Sequence, residues 1–278
     1  MLTSFIITFR ESLEAALIVG IILAYLSRTQ GKKYYNLVYL GVVAALVASI
    51  ISAFIFNTVF GGFTGRTEEI FEGIVMIFAS LLITYMILWM LKQRHVKKEL
   101  QSKVDKEIHE KHKFGLFFLA FINVFREGIE TVIFLGAAVT ASTTENTLFG
   151  GILGVIAAIV LGYFIFAGTK KVKIKTFFNV TSILLVLFAA GLFAHGIHEL
   201  QEAKIVPVVN EHLFDINPPE NTDGSFPLMH EKGTIGSLLK SLFGYNGNPS
   251  LIEVISYLFY LILIFVLYKN INRVHEVI

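Results

Sequence analysis

Arg10, Glu11 and Glu14 lie within five residues of one another, inside an apolar run from Phe5 to Leu26. That run is long enough to cross a bilayer as a helix. Each ionisable side chain at the centre of such a helix costs about 2.5–3.5 kcal/mol, so three cost about 8–10 kcal/mol before any pairing. The same pattern returns as Arg126, Glu127 and Glu130 in a second apolar run. On a helix, Glu11 and Glu14 are three apart and Arg10 and Glu14 four apart, so they share one side and the arginine can pair with a carboxylate. Together the two motifs hold four carboxylates and two guanidiniums, a formal sum of −2. Hard oxygen donors with net negative charge suit a small, hard, multivalent cation. The bland alternative is a pair of intrahelical Arg–Glu bridges that only lock packing. A ferritin-like di-iron site needs Glu-x-x-His pairs, which neither motif contains.

Two further clusters stand near the ends of apolar runs. Glu68, Glu69 and Glu72 open the third run. His195, His198, Glu199 and Glu202 close the sixth. His195 to Glu199 and His198 to Glu202 are both i, i+4 spacings, so these four form one stripe over two turns. The two clusters are expected to meet as a funnel that draws cations towards the motifs. Glu68 and Glu69 also suit a plain role as helix N-terminal charges. His198-Glu199 does not begin a zinc-protease motif, because position 202 is Glu where that motif needs His.

The elements that must position these groups are read from hydropathy. Of the 278 residues 55% are hydrophobic and only 16% charged, against roughly 25% charged in an average soluble domain. The fold class is therefore an all-α integral membrane protein of the cell membrane. Net charge is +2, which gives nucleic-acid binding no support. Cysteine is absent, which excludes disulfides, thiolate ligands and iron–sulfur clusters and leaves oxygen and nitrogen donors for any metal. No basic region precedes the first run, so that helix is expected to be retained in the mature chain.

Seven spans are expected, at about 3–26, 35–58, 70–91, 114–139, 148–168, 177–200 and 250–268. Lys and Arg alternate sharply between them: eight fall in 92–113, none in 140–147 and four in 169–176. The positive-inside rule then puts the N-terminus outside and the C-terminus inside. The 92–113 segment reads as a solvated helical extension on the cytoplasmic side. The 201–249 segment holds all five prolines and reads as an irregular extracytoplasmic loop, with 235–243 as a short interfacial helix. Trp89, Tyr25, Tyr34 and Tyr35 read as interfacial anchors.

An internal repeat organises the spans. Phe9-Arg-Glu-Ser-Leu-Glu14 matches Phe125-Arg-Glu-Gly-Ile-Glu130 at an offset of 116, and Leu40-Gly-Val-Val-Ala-Ala-Leu-Val47 matches Leu153-Gly-Val-Ile-Ala-Ala-Ile-Val160 at 113. Helices 1–3 therefore recur as 4–6. Three is odd, so the second copy is inverted in the membrane, as in secondary transporters with a polar site between repeats. The chain is one membrane domain: repeat one about 1–91, repeat two about 114–200, and an unpaired seventh helix at 250–268.

Two Arg-Glu-x-x-Glu motifs on helices 1 and 4 of such a chain resemble the oxidase-dependent iron permease family. Glu72-Gly-Ile with Thr84 and Trp89-Met90, and Ala194-His-Gly-Ile-His-Glu-Leu-Gln-Glu-Ala203, resemble its bacterial branch. The resemblance implies that Glu11, Glu14, Glu127 and Glu130 handle iron with Arg10 and Arg126 as essential neighbours. It implies iron as transported substrate, no permanent cofactor and no enzymatic activity. It also implies an extracytoplasmic iron-binding protein and a haem peroxidase as separate partner chains. The oxidation state of the iron, ferric or ferrous, stays open. Oxygen ligands alone equally allow another divalent cation such as lead or manganese. A non-transporting seven-helix sensor or assembly subunit is the rival from outside transport.

Overall fold

In lipid every backbone group must be satisfied within the chain, so long apolar runs form helices. The computed structural model describes residues 1–29, 31–92, 96–109, 114–140, 144–166, 174–210, 213–221 and 225–276 and has no strand among them. The helices are α1 (Leu2–Arg28), α2 (Tyr35–Phe60), α3 (Arg66–Lys92), α4 (Val96–His109), α5 (Gly115–Thr140), α6 (Thr144–Phe166), α7 (Ile174–Glu202), α8 (Thr234–Phe243) and α9 (Leu251–Glu276). The seven expected spans correspond to α1, α2, α3, α5, α6, α7 and α9. Five of these, α2, α3, α6, α7 and α9, are long and apolar enough to cross a membrane. The other two, α1 and α5, match them in length at 27 and 26 residues, and each carries one charged motif. Arg94, Lys111, Lys113, Lys170, Lys171 and Lys173, part of the loop-charge pattern, lie outside the described residues.

Broad apolar faces remain uncovered by protein. Ile50 and Phe54 on α2, Tyr163 on α6 and Phe265 on α9 are each about two-thirds exposed or more (70%, 72%, 71% and 66%). A soluble protein would bury such faces, whereas lipid covers them here at no cost.

The helical extension in 92–113 is not merely solvated. Leu100 and Val104 of α4 are buried against Ile22, Leu26 and Val38 and against Leu116 and Ala120 of α5. This apolar pair, four residues apart on a mostly polar helix, docks it against α1 and α5.

Close helix contacts are built on small residues, as expected where lipid offers no hydrophobic drive between helices. Along α1 and α6, a Cβ on Gly154 would stand 2.5 Å from the Phe5 carbonyl oxygen and 2.9 Å from Phe9 N. Further down the same pair, a Cβ on Gly162 would lie 3.6 Å from that of Ala16. Along α2 and α5, a Cβ on Gly41 would stand 2.5 Å from the Phe117 carbonyl oxygen and 3.2 Å from Phe121 N, and Gly128 leaves room for the Ser49 side chain. Residue numbers rise together in both pairs, so each pair is parallel. Thr8 Oγ1 ties α1 to α6 by donating to the Gly151 carbonyl at 2.9 Å.

The third large contact joins α3 to α7, and it is antiparallel. A Cβ on Gly73 would stand 2.8 Å from the Gly196 carbonyl oxygen, and one on Gly196 would stand 2.9 Å from that of Gly73. Backbone meets backbone here, so neither helix can give way cheaply. Gly196→Leu is expected to destabilise the fold by about 1–3 kcal/mol through overpacking. Thermal unfolding in detergent measures this, and an unchanged midpoint would contradict so tight a crossing.

Candidate metal site

α1 and α5 cross where their motifs lie. One oxygen each from Glu11, Glu14 and Glu127 falls within 4.8 Å of the others, the separation that one shared cation requires. Glu130 is in electrostatic reach of both Glu11 and Glu14. Its Oε1, however, is turned to Arg126, 3.0 Å from Nε. The oxygens Glu11 Oε2, Glu127 Oε2 and Glu130 Oε2 are buried and receive no hydrogen bond from an N–H or hydroxyl donor. Buried carboxylate oxygens without donors are costly unless something else, such as a cation, satisfies them.

The two arginines do not share one environment. Arg10 is fully buried, with Nη1 3.1 Å from Glu11 Oε1, Nη2 2.9 Å from Glu14 Oε1, and Nη1 also donating to Met86 Sδ at 3.0 Å. Arg126 remains 43% exposed. Its guanidinium carbon lies 4.7 Å from the centroid of the Trp89 ring. Met86 and Trp89 are three apart on α3, so one face of that helix covers both arginines. Trp89, read from the sequence as an interfacial anchor, also touches the motif: its ring is a cation–π partner of Arg126. A lone Trp at the end of an apolar run carries the same local signal in either role.

Thr84, Asn123 and Thr131 are candidates for orienting the motif residues. Thr131 Oγ1 donates to the Glu127 carbonyl, and Asn123 Nδ2 to that of Leu119. Thr84 bonds the Ser80 carbonyl and the Tyr260 hydroxyl. None of these bonds reaches a motif carboxylate.

The outer clusters do meet. Their meeting follows from the Gly73–Gly196 crossing, which sets Glu72 beside the turn bearing His195. Glu199 is in electrostatic reach of Glu69, Glu72 and Glu202. Glu68, on the first turn of α3, is exposed. His195 Nε2 is 3.7 Å from Glu199 Oε1, and His198 Nε2 is 3.3 Å from Glu202 Oε1. The two imidazole rings stack at 5.7 Å.

Three residues from the 201–249 loop and α9 join this cluster, and sequence reasoning missed them. Glu253 Oε2 stands 3.7 Å from His198 Nδ1. Asn246 Nδ2 donates to both Glu253 oxygens at 3.0 and 3.1 Å. Lys240 of α8 interacts electrostatically with His195 and Glu199. α8 is seated by Gly244, whose φ of +67° lets the chain turn where it touches Gly191 of α7. Glu253 stands in the first turn of α9, where an acid is favoured by the helix dipole, so no local signal marks it. Along α3, Glu72 and Met86 are fourteen residues apart, which separates the outer cluster from the motif arginines by about 21 Å.

An all-helical membrane protein with two carboxylate-rich motifs meeting inside it belongs to the class of cation-handling integral membrane proteins. The iron permease FTR1 family matches residues 1–275. The chain is 35% identical to the ferrous iron permease EfeU of Escherichia coli O6:H1 over 94% of its own length and 93% of the relative's. It is 36% identical to EfeU of Yersinia pestis, covering 94% and 91%. An uncharacterized protein of Archaeoglobus fulgidus is 35% identical over 99% and 98%. No solved structure matches significantly. The chain belongs to the iron permease FTR1 family and is a multi-pass membrane protein.

Proposed function

We propose that this chain imports iron through a site formed by Glu11, Glu14, Glu127 and Glu130, with Arg10 and Arg126 as charge partners. The observation that carries this is the convergence of Glu11, Glu14 and Glu127 oxygens within 4.8 Å, drawn from both helices. The net negative charge of the group is met when a divalent or trivalent cation binds. The relatives' name favours ferrous iron as the first ion to test.

The chain crosses the membrane seven times, N-terminus outside and C-terminus inside, with 92–113 cytoplasmic and 201–249 extracytoplasmic. Residues 1–91 and 114–200 are two inverted three-helix repeats, and 250–268 adds the last span. The helix pairing supports this. In an inverted three-plus-three repeat, the second helix of each half runs parallel to the first helix of the other. The α1–α6 and α2–α5 pairs follow that rule.

Iron collects at Glu72, His195, His198, Glu199 and Glu202, oriented by Glu253, and moves about 21 Å along α3 to the motif site. A separate extracytoplasmic iron-binding protein and a haem peroxidase supply it. His198→Ala is expected to raise the KM for iron uptake several-fold while leaving the maximal rate near wild type. A fall in maximal rate at unchanged KM would remove His198 from the entrance.

Flux of radioactive iron into proteoliposomes holding only this chain tests the function, with lead and manganese as competitors. No flux of any metal would favour the non-transporting reading. Stronger flux of manganese or lead than of iron would reassign the substrate.

A further inference from the structure

A guanidinium carries five N–H donors on two nitrogens at its tip and one on its stem. Arg10 turns both Nη atoms to Glu11, Glu14 and Met86. Arg126 uses only Nε, which donates to Glu130 Oε1 at 3.0 Å. Its flat face lies on the Trp89 ring. Among the described residues, no hydrogen bond leaves Arg126 Nη1 or Nη2. Four of the five donors therefore remain for a partner outside the protein. Charged groups taken out of water are costly unless such donors are met.

The surroundings of that free edge are apolar. On α5, Phe118 and Ile122 precede Arg126 at four-residue spacing, on the same side of the helix. On α3, Phe78, Leu81 and Tyr85 form a stripe that runs up to Trp89. Each of these five side chains is more than half exposed. Ionisable groups inside a membrane usually face the bundle interior or an aqueous cavity. The face around Arg126 is lined with hydrocarbon and aromatic rings instead, so lipid covers it.

Depth decides which part of a lipid meets it. Trp89 is the last residue of the apolar span of α3. Arg126 stands six residues beyond Ala120, which packs on α4, so about 9 Å of helix separates them. Side chains lean towards the N-terminus of their own helix, and for α5 that is the α4 side. A long arginine so placed keeps its stem in the apolar layer and reaches back to the membrane boundary. Guanidinium and indole thus meet at the level of the phospholipid headgroups.

We propose that Arg126 and Trp89 hold the phosphate of an anionic phospholipid, with an acyl chain laid along Tyr85, Leu81 and Phe78. Nη1 and Nη2 present paired N–H groups, the fork that binds two phosphate oxygens at once. The lipid belongs to the leaflet on the α4 side, which is the inner leaflet in the topology proposed above. Through Nε the same guanidinium holds Glu130, so the lipid and the fourth motif carboxylate share one positive charge. Arg10 is fully buried, so only one copy of the motif carries this site.

The probe is phosphatidylglycerol, added to the delipidated full chain in detergent, with binding read by native mass spectrometry. Wild type should retain it at least fivefold over phosphatidylcholine, whose ammonium offsets its phosphate. Arg126→Gln should abolish that preference. Ile122→Glu keeps every motif residue and sets a carboxylate four residues before Arg126, where it pairs with the free edge. It should abolish the preference as fully, and at so exposed a position it should leave the elution volume of the folded protein unchanged. Equal preference in wild type and both variants overturns the proposal. So does inorganic phosphate that displaces the lipid at millimolar concentration, since the site then takes a soluble anion. A lipid-free dimer also overturns it, since a second copy then covers this face. No metal enters the measurement, so failure of the permease reading would leave its outcome unaffected.

Discussion

Replacing Glu11, Glu14 or Glu127 with alanine is expected to lower iron uptake by at least tenfold at matched expression. Each contributes an oxygen to the cluster within 4.8 Å. Removing one hard donor from a small set takes away both a bond and a unit of negative charge. For comparison, loss of residues that merely orient ligands typically costs 10–100-fold in metal affinity or activity. Glu130→Ala should also impair uptake, but less, because its Oε1 is held at 3.0 Å by Arg126. Uptake of radioactive iron by cells expressing each variant measures the order. Undiminished uptake by Glu14→Ala would remove that residue from the site. A larger loss for Glu130 than for Glu11 would mean that the carboxylates rearrange around the ion.

The second large effect separates the two arginines, which are equivalent in sequence. Arg10→Ala is expected to destabilise the protein by about 3–5 kcal/mol, the usual result of stranding buried charges by removing one partner. Glu11, at 1% exposure, would lose its counter-ion, and Glu14 its contact at 2.9 Å. Arg126→Ala should cost less than Arg10→Ala, because its guanidinium is 43% exposed where that of Arg10 is sealed, although it too leaves the buried Glu127 and Glu130 without a counter-ion. Thermal unfolding of both purified variants in detergent compares them. Equal losses would show that Arg126 is as shielded in the bilayer as Arg10 is by protein. Trp89→Phe should weaken the Arg126 stack and move the midpoint by less than either arginine variant, since Phe keeps an aromatic face for the guanidinium.

Much of this protein is legible in the sequence because the signals are local. Seven apolar runs need only a count of adjacent residues. The two Arg-Glu-x-x-Glu motifs announce themselves by their cost in lipid. Both anchors of the repeat, at 9–14 and 40–47, are visible without any structure. The i, i+4 spacing of His195–Glu199 and His198–Glu202 already places those groups on one helix face. The residues that α9 and the loop add to the outer cluster were not legible. Glu253 reaches His198 across chain separated by more than fifty residues, and nothing near Glu253 or Asn246 distinguishes them from an ordinary helix start and turn. α4 reads as solvated because charged residues dominate it, while Leu100 and Val104 meet the bundle.

The sequence by itself determined an all-helical membrane protein with one motif written twice. Hydropathy and repetition are properties of the chain in one dimension, so they survive without a fold. The tertiary structure decided that the two copies differ. One crossing of α3 lays Met86 on Arg10 and Trp89 on Arg126, so identical motifs receive a sealed and an open guanidinium. It also decided which oxygens converge, since Glu11, Glu14 and Glu127 gather while Glu130 turns to its own arginine. Contacts between helices depend on side chains distant in sequence, so a repeated motif does not fix the surroundings of each copy.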